Sequence, residues 1–560
     1  MSCRVTPARR PTAPEVTLTE VSPAPAPRRS GPRRTGIHVA AAVTVALGTV
    51  YLVLRPQAPD LPAQLARASA VSRGAGLWWA NWYGGINTST YSLVSAKLMN
   101  LVGVGLVGVL STVVIAVLGA YLARHGTRPR LGAVAIAVAA SANLYSGRIT
   151  FAAGTAVALG SLVALTRGRF ATATLIAAVT GLVSPLSALF ELTVLAGLWL
   201  ARSADRRRLL VVGAAAAAPV LGLTLLFGQP SYMPYSLNTL VFALLACGAV
   251  AVSPVPGPVR VVALVFAAVA LAAYAVPSPI GSNAARIPML AAAPVVIATA
   301  RRGQGWGKAL AGALVVWPLI SFASDMAIAS QPSAEARFYG PLLAQLPPTG
   351  TSTQRVEVLD PRTHGAAYYL STQVPLARGW ERQVDVASNG LFYAKTLDPV
   401  AYRTWLVDHA VGWVAVPTGD LDFGAVRERE LVTGGLPYLR LQWSNPDWQL
   451  YRVLVSAPVA SGVMTAIRLT DTTVELQAHE AGSADVRVPY SGLLAVTDTA
   501  GNPVGCVGPG TQGDSRIQVP GPGAYILTGR LSALGTACPA PVESTFPPGS
   551  RPPQTPLVSR

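Results

Sequence analysis

Charged side chains are scarce in this chain of 560 residues: they make up 12% of it, whereas hydrophobic residues make up 51%. Soluble globular domains carry about 25% charged residues, so an ordinary soluble protein is excluded. Carboxylates are scarcest between residues 37 and 328, where only Asp60, Glu191, Asp205 and Asp325 occur. A charge inside a membrane is costly and usually serves a function. All of these except Asp205 are therefore the first candidates for a site.

Common catalytic motifs are also missing. The sequence has no G-x-S-x-G, H-E-x-x-H, P-loop or paired C-x-x-C, and its five histidines are scattered. A hydrolase triad and a zinc site therefore lack support. No cofactor is indicated, and a divalent metal stays open as an alternative without support from a motif. The G-x-G-x-x-G match from Gly103 to Gly108 lies in an apolar run and is interpreted as helix packing. Asp420 and Asp422 are interpreted as part of a solvated turn rather than a metal site.

Four cysteines are too few for a disulfide framework. Cys506 and Cys538 both fall in the segment that is placed outside the cell below, where oxidising conditions favour disulfides. A bond between them is predicted, with two free thiols as the alternative. Cys3 and Cys247 receive no role.

Long apolar runs predict a polytopic helical membrane domain. Windows of about 17 to 22 apolar residues are long enough for a helix to cross a bilayer. They predict about eleven spans, at residues 37–54, 99–123, 131–146, 149–166, 170–183, 185–201, 209–227, 235–253, 259–276, 287–300 and 307–328.

Basic residues mark every second connection between these spans. Because positive residues favour the cytoplasmic side, the N-terminus is predicted to be cytoplasmic and everything after residue 330 to lie outside. The net charge of +18 is attributed to these loops and to contact with anionic lipids, and nucleic acid is not expected as a partner. The basic connections carry Arg124, Arg128 and Arg130, then Arg167 and Arg169, then Arg202 and Arg206 to Arg208, then Arg260, then Arg301, Arg302 and Lys308.

Composition divides the chain into five regions. Proline-rich polar ends predict disordered tails, and the extended and helical patterns after the last span predict an α/β lobe followed by a β-sandwich. The regions are the basic cytoplasmic tail 1–36, the transmembrane domain 37–328 with a long first outer loop 55–97, the extracytoplasmic α/β lobe 329–455, the extracytoplasmic β-sandwich 456–540 and the tail 541–560.

The first outer loop combines an amphipathic pattern with aromatic residues. A helix is predicted at about 61–73, followed by the cluster Trp78, Trp79, Trp82 and Tyr83. Such a segment is typical of the membrane surface. Aromatic faces also stack on sugars, so Trp79, Trp82 and Tyr83 are candidate sugar contacts as well as candidate membrane anchors.

The order of Asp60, a surface helix, W-Y-G-G from Trp82 to Gly85 and then Tyr91-Ser92 resembles bacterial membrane proteins related to the GT-C glycosyltransferases. These include the 6-pyruvoyl-tetrahydropterin-synthase-related membrane proteins of actinobacterial type. The segment from Gly281 to Arg286 resembles the start of a late span in those proteins. The outer segments PLARGWERQVD, NGLFY, YRTWLVDHAVGWVAVP and GLPYLR resemble their outer lobe.

The resemblance implies a polyprenyl-phosphate sugar as donor, an envelope glycan or lipid as acceptor, and an acidic residue of the first outer loop as the base. Asp60 is the position that matches. The second acid that often accompanies it in the family is missing from this loop, so a metal-dependent reaction is not implied.

Glycosyl transfer from a lipid phosphate requires a carboxylate to take the acceptor proton and cations to stabilise the departing phosphate. Arg286 with Asn283, Arg148 and Lys97 lie at outer span ends and are candidate donor-binding residues. Arg148 and Lys97 could instead reach the interface as ordinary snorkelling side chains.

Each candidate acid also has an alternative interpretation in which it plays no part in catalysis. Asp60 could cap the predicted surface helix. Glu191 could be a buried partner of Arg286 or Arg148, and Asp325 could only be near the interface. Three functions stay open: an outer-face glycosyltransferase, a lipid or glycan transporter, and a non-catalytic envelope assembly protein that binds glycan.

Overall fold

The computed structural model describes residues 32–202, 205–301, 305–394, 396–510, 513–534 and 537–538. The predicted tail at 541–560 and most of the predicted tail at 1–36 lie outside the described residues. Residues 32–36 begin the first helix, so ordered structure starts slightly earlier than the apolar run predicts.

The first part of the described chain is helical. Apolar runs form its helices because a helix satisfies its own backbone hydrogen bonds where water is absent. Its helices are α1 (Pro32–Leu54), α2 (Leu61–Ser72), α3 (Ser95–Val102), α4 (Val104–Ala123), α5 (Pro129–Tyr145), α6 (Ile149–Thr166), α7 (Phe170–Val183), α8 (Pro185–Leu200), α9 (Arg206–Phe227), α10 (Leu237–Val252), α11 (Gly257–Ala275), α12 (Arg286–Thr299) and α13 (Gly305–Ala329).

Six helical stretches among the described residues are long and apolar enough to cross a membrane, and the chain is a membrane protein. Three further apolar helices, α7, α8 and α10, are shorter. A helix lies at each of the eleven predicted spans, but the number of spans stays a prediction. The six longer stretches are Gly36–Leu54, Val104–Ala123, Ile149–Thr166, Arg206–Phe227, Gly257–Ala275 and Ala309–Ala329.

The predicted span 99–123 is not one helix. Gly103 has φ +99°, a conformation that glycine adopts readily, and it separates α3 from α4. The other two glycines of the motif do pack helices together. A Cβ on Gly108 would lie 2.7 Å from Leu144 Cδ1, and one on Gly105 would lie 3.2 Å from Leu52 Cδ2.

The α/β lobe follows α13. Its four-stranded sheet has the order β3-β4-β6-β5, in which β3 and β4 are parallel and the other pairs are antiparallel. The lobe contains α14 (Ala336–Leu343), β3 (Arg355–Val358), α15 (Ala366–Tyr369), α16 (Arg382–Ser388), α17 (Pro399–Asp408), β4 (Val411–Pro417), α18 (Phe423–Thr433), β5 (Leu439–Ser444) and β6 (Trp448–Val453).

A β-sandwich completes the described chain. Its two four-stranded sheets have the orders β12-β13-β10-β7 and β11-β14-β9-β8. Along β9, Val474, Leu476 and Ala478 are buried in alternation, as a sheet with one face on a core requires. The structure joins Cys506 and Cys538 by a disulfide. The strands are β7 (Ala460–Gly462), β8 (Met464–Leu469), β9 (Thr473–Ala478), β10 (Gly482–Pro489), β11 (Leu494–Thr497), β12 (Cys506–Pro509), β13 (Asp514–Val519) and β14 (Gly523–Gly529).

The aromatic cluster of the first outer loop is buried inside protein, so its predicted position on the membrane surface is wrong. A short hairpin, β1 (Trp78–Trp79) with β2 (Ile86–Asn87), follows α2. Trp78 packs in the core of the sandwich, whereas Trp79 and Trp82 pack in the core of the α/β lobe. An apolar aromatic pattern has the same form whether lipid or another domain covers it, and here the two lobes cover it.

Candidate functional site

Glycine at position 147 brings the turn between α5 and α6 against the start of α2. Gly147 has φ +78°, and a Cβ there would lie 2.5 Å from the backbone nitrogen of Leu61. Only glycine permits this approach without strain. The contact sets Arg148, the next residue in the chain, beside Asp60.

A second glycine positions the turn that precedes α12. Gly281 has φ +41°, and a Cβ there would lie 1.9 Å from the carbonyl oxygen of Met233. The short helical turn Gly281–Ala285 therefore packs closely on the segment before α10. This turn carries Asn283 and leads directly into Arg286, so both residues face the same region as Asp60.

These residues line a cavity of about 420 Å³ between the helical domain and the α/β lobe. The helical domain contributes four of the predicted site residues and a wall on α2 that was not predicted. The lobe contributes a second wall that was not predicted. The lining includes Asp60, Gln64, Arg67, Tyr91, Arg148, Phe151, Asn283, Arg286, His364, Trp380, Glu381, Arg382 and Gln383.

Asp60 is held by two cations. Arg148 Nε donates a hydrogen bond to Asp60 Oδ2 over 2.9 Å, and Arg286 Nη2 lies 3.9 Å from the same oxygen. Burial alone would raise the pKa of Asp60, but the two guanidinium groups outweigh it and lower the pKa below its ordinary value. Asp60 is therefore an ionised carboxylate, and its side chain makes no capping hydrogen bond to α2. The capping interpretation is wrong.

Arg148 contacts a second carboxylate. Its Nη2 lies 3.8 Å from Asp325 Oδ2 on α13, and both side chains are 16% exposed. The alternative in which Arg148 merely snorkels to the interface is wrong, because the guanidinium is enclosed between two acids. Asp325 likewise belongs to the site, although 265 positions separate it from Asp60 in the sequence.

Arg286 is the least engaged cation of the cavity. Within the described part of the chain its guanidinium makes no hydrogen bond, and its nearest carboxylate oxygen is the one on Asp60 at 3.9 Å. The guanidinium lies 5.6 Å from the centre of the Phe151 ring. An arginine has five N–H donors in a fixed fork that suits phosphate, so Arg286 offers donors to an anion in the cavity.

The first wall that was not predicted lies on α2. Gln64 accepts a hydrogen bond from the Thr150 hydroxyl over 2.6 Å, and its amide donates to the Tyr91 hydroxyl over 3.4 Å. Arg67 stacks over the Tyr91 ring at 4.4 Å and forms an ion pair with Glu381. A signal for this wall was present, because positions 60, 64 and 67 follow the spacing of one helix face.

The second wall comes from the α/β lobe, from Trp380 to Gln383 at the start of α16. The Trp380 ring stacks on His364 with 3.3 Å between ring centres, and His364 Nδ1 lies 2.5 Å from Asp360 Oδ2. Arg382 donates to both oxygens of Asp422, over 2.7 and 2.5 Å. Asp422 is thus a buried partner of arginine, and its assignment to a solvated turn is wrong.

Several predicted residues lie elsewhere. Lys97 is exposed on α3 and does not line the cavity. Trp79 and Trp82 are fully buried, and their indole N–H groups donate to Asp471 and to the carbonyl oxygen of Ala367. Their sugar-contact role is wrong, because no ring face is free.

Tyr83 and Glu191 also differ from their predicted roles. Tyr83 is 6% exposed, and its hydroxyl accepts from the backbone nitrogen of Glu381, so it supports the wall instead of facing a sugar. Glu191 is 1% exposed on α8 and makes no ion pair with Arg148 or Arg286 in the described residues. Its predicted role as their partner is wrong.

A second, apolar cavity of about 790 Å³ adjoins the first. Its walls come from α4, α5, α6, α8, α10, α11 and α12, and Phe151 lines both cavities. It extends along α12 from Ile287, next to Arg286, to Thr299 at the other end of that helix. The charged cavity and this largely apolar cavity therefore share Phe151 as a common wall.

The acidic side chains of the charged cavity are engaged by arginine. Among the residues that the structure describes, no group of three or more His, Cys, Asp or Glu side chains could hold an ion. Asp60 and Asp325 both face the Arg148 guanidinium, at 2.9 and 3.8 Å.

No family model matches the chain, and no curated protein sequence matches it. Among solved structures it is similar to the arabinofuranosyltransferase AftD from mycobacteria, at 16% identity and a TM-score of 0.38, covering 75% of this chain and 40% of that one. Two classes of a mutant of that protein give 16% and 17% identity, TM-scores of 0.39, and coverage of 78% and 81% of this chain and 43% and 42% of that one. The chain thus spans about two fifths of the length of those solved proteins.

Proposed function

We propose that this protein transfers a sugar from a polyprenyl-phosphate donor to an envelope glycan or lipid. One observation carries the proposal: an ionised carboxylate, Asp60, lies 3.9 Å from Arg286, whose guanidinium makes no hydrogen bond within the described residues. A base and a cation for the leaving phosphate thus share one cavity.

In this reaction the acceptor hydroxyl gives its proton to Asp60 as its oxygen attacks the anomeric carbon. The bond between that carbon and the phosphate oxygen breaks, and the phosphate leaves with the electron pair. Arg286 stabilises the negative charge on the phosphate, since donors aimed at a developing charge lower the barrier. Arg148 is the second cation within reach of the same region.

The two adjoining cavities support an amphipathic donor. The charged cavity offers Arg286 to a phosphate, and the apolar cavity of about 790 Å³ begins beside it at Ile287 and Phe151. An apolar space of this kind can take a hydrocarbon chain without exposing it to water. A long-chain lipid phosphate therefore suits the pair better than a soluble nucleotide sugar.

Sugar contacts are assigned to the α2 wall instead of the buried tryptophans. Gln64 and Tyr91 carry polar groups on the cavity surface. Arg67 also lines the cavity, and its Nε has no hydrogen-bond partner in the described part of the chain. Side chains of this kind bind sugar hydroxyls by hydrogen bonds, and a buried donor without a partner favours a polar ligand.

We also assign the α/β lobe and the β-sandwich to the outside of the cell membrane, with the N-terminus in the cytoplasm, from the basic connections of the sequence. Asp420 is exposed. An Asp420→Cys variant in intact cells should react with a membrane-impermeant thiol reagent, and protection until the cells are lysed would reverse the orientation.

The function is tested with the full-length protein in lipid nanodiscs and a set of polyprenyl-phosphate sugars. Release of polyprenyl phosphate together with sugar transfer to an envelope extract is the expected result. In cells without the gene, the lipid-linked donor should accumulate while one glycan linkage disappears. A deletion that changes neither the donor pool nor the glycan would contradict the proposal and favour a non-catalytic role.

A further inference from the structure

Asp60, the proposed base, contacts two arginine side chains in the structure. Asp60 Oδ2 accepts the Arg148 hydrogen bond at 2.9 Å and also faces Arg286 at 3.9 Å. A carboxylate that holds a guanidinium is a weak base, since taking a proton would break a charge-assisted hydrogen bond. If Asp60 is to accept a proton from the acceptor, Arg148 has to leave it first.

A second carboxylate, that of Asp325, lies beside Arg148. Its Nη2 lies 3.8 Å from Asp325 Oδ2, which is too long for a hydrogen bond, and that oxygen is buried with no hydrogen-bond partner among the described residues. A small rotation of the guanidinium could close this gap. Oδ2 of Asp325 is therefore an acceptor without a hydrogen bond in the described residues, and it lies beside the arginine that has to move.

Binding of an anion in the cavity would favour movement of the Arg148 guanidinium away from Asp60. Arg286 and Arg148 both line the charged cavity. An anion that Arg286 binds would lie close to Asp60, and it would compete with Asp60 for the Arg148 donors. A guanidinium can serve a carboxylate and a phosphate at once through different N–H groups, so Asp325 could keep hold of Arg148 while it faces the phosphate.

We propose that the phosphate of the donor draws Arg148 away from Asp60, and that Asp325 positions Arg148 for this exchange. The proposal rests on the function proposed above and deepens it, because it makes the base available only when the donor is bound. Asp60 is then the catalytic residue, whereas Asp325 is a positioning residue that acts through Arg148.

The exchange is tested by direct binding, without sugar transfer. Farnesyl phosphate is titrated into the full-length protein in nanodiscs, with farnesol as the control for the hydrocarbon chain. Asp60→Asn should tighten farnesyl phosphate binding about three- to tenfold, because Arg148 is released and a negative charge is removed, whereas in an Arg148→Gln background only the smaller gain from the lost charge should remain. Farnesol binding should be the same in all of these variants.

An equal gain in both backgrounds would overturn the inference, because the effect would then come from removing a negative charge near Arg286. If Arg148→Gln does not fold, Arg148→Lys replaces it in the cycle. Lysine keeps the charge but lacks the fork that serves two acceptors, so the gain from Asp60→Asn should shrink there as well, and an undiminished gain would again overturn the inference.

Substitution of Asp325 gives a second test, in which the two explanations predict opposite changes in the affinity for farnesyl phosphate. Removing a carboxylate near an anion site should tighten anion binding if only charge matters. A positioning role predicts the opposite: Asp325→Asn should weaken farnesyl phosphate binding about threefold or more, and Asp325→Glu should restore part of it. Tighter binding in Asp325→Asn would overturn the positioning role and leave the proposed function intact. If the unmodified protein does not bind farnesyl phosphate at all, both the positioning role and the proposed function are overturned.

Discussion

Trp380 donates its indole N–H to the carbonyl oxygen of Pro59 over 3.1 Å. Pro59 immediately precedes Asp60, so the α/β lobe is fixed to the backbone beside the proposed base. The backbone nitrogen of Tyr232 donates to the carbonyl oxygen of Gln383 over 2.8 Å, which attaches the same lobe segment to the turn before α10. The lobe thus forms part of the site rather than an appended domain.

Replacing Trp380 by Phe should lower transfer about fivefold, because a net hydrogen bond is worth about 1 kcal/mol and its loss leaves the Pro59 carbonyl without its donor. The initial rate at saturating donor is the measurement. Trp443→Phe is the matched control, since Trp443 lies on β5 and does not line the cavity. Equal rates in the two variants would show that the contact with Pro59 is not needed.

Asp60→Asn should abolish most of the transfer, with a loss of about 10² to 10⁴ in rate, the range for removal of a general base. Asn keeps the shape of the side chain but cannot take the proton. Asp205→Asn is the control, because Asp205 lies at the start of α9 and does not line the cavity. If Asp60→Asn restores the wild-type glycan in a deletion strain, Asp60 is not the base and a non-catalytic or transport role is favoured.

The sequence alone predicts one half of the site. Asp60, Arg148 and Arg286 could be found because charges are rare in a helical membrane domain and each costs free energy there. Their joint location, however, depends on Gly147 and Gly281, whose close contacts with Leu61 and Met233 are tertiary. Neither contact leaves a periodic pattern in the chain.

The other half could not be predicted. Trp380 to Gln383 lie more than 300 positions after Asp60, and no local pattern pairs two such segments. The burial of the first outer loop's tryptophans could not be predicted for a related reason. Hydrophobic burial is not directional, so Trp79 and Trp82 fit a membrane interface as well as they fit the core of a lobe.

Arg286→Gln should raise the KM for the lipid-phosphate donor about 10- to 100-fold, because a hydrogen bond to a charged group is worth about 1.5–3 kcal/mol. Gln keeps two donors but loses the charge. Arg260→Gln on α11 serves as the control, since Arg260 is exposed and its Nε donates to the carbonyl oxygen of Ala251. An unchanged KM in Arg286→Gln would exclude this residue from phosphate binding.

Removing the disulfide should destabilise the β-sandwich. Cys506 and Cys538 are 32 positions apart, and closing a loop of that length stabilises a fold by about 3 to 4 kcal/mol in the chain-entropy model. The Cys506→Ser, Cys538→Ser double variant should therefore unfold at lower temperature, with Cys247→Ser as the control. Mass spectrometry of protein from intact cells should find both thiols oxidised, and free thiols there would show that the bond does not form.

The Arg382–Asp422 ion pair should make the α/β lobe sensitive to acid. Burial alone would raise the pKa of Asp422, but the hydrogen bonds from Arg382 lower it to about 2. An unfolded Asp has a pKa near 3.9, so the pair stabilises the fold fully above about pH 4 and this contribution is lost as the pH falls towards about 2. A difference of about two pKa units corresponds to roughly 2–3 kcal/mol, and the Asp422 side chain is only 10% exposed.

Asp422→Asn should therefore unfold more easily at pH 7 and lose the steepest part of its pH dependence between pH 4 and about 2. Unfolding followed by tryptophan fluorescence in nanodiscs is the measurement. Asp447→Asn is the control, because Asp447 belongs to the same lobe but to no ion pair of the described residues. If the wild type and Asp422→Asn lose stability in parallel over this range, the ion pair does not stabilise the lobe. In that case Arg382 is held in the cavity wall by its stacking on Trp380 and Phe423.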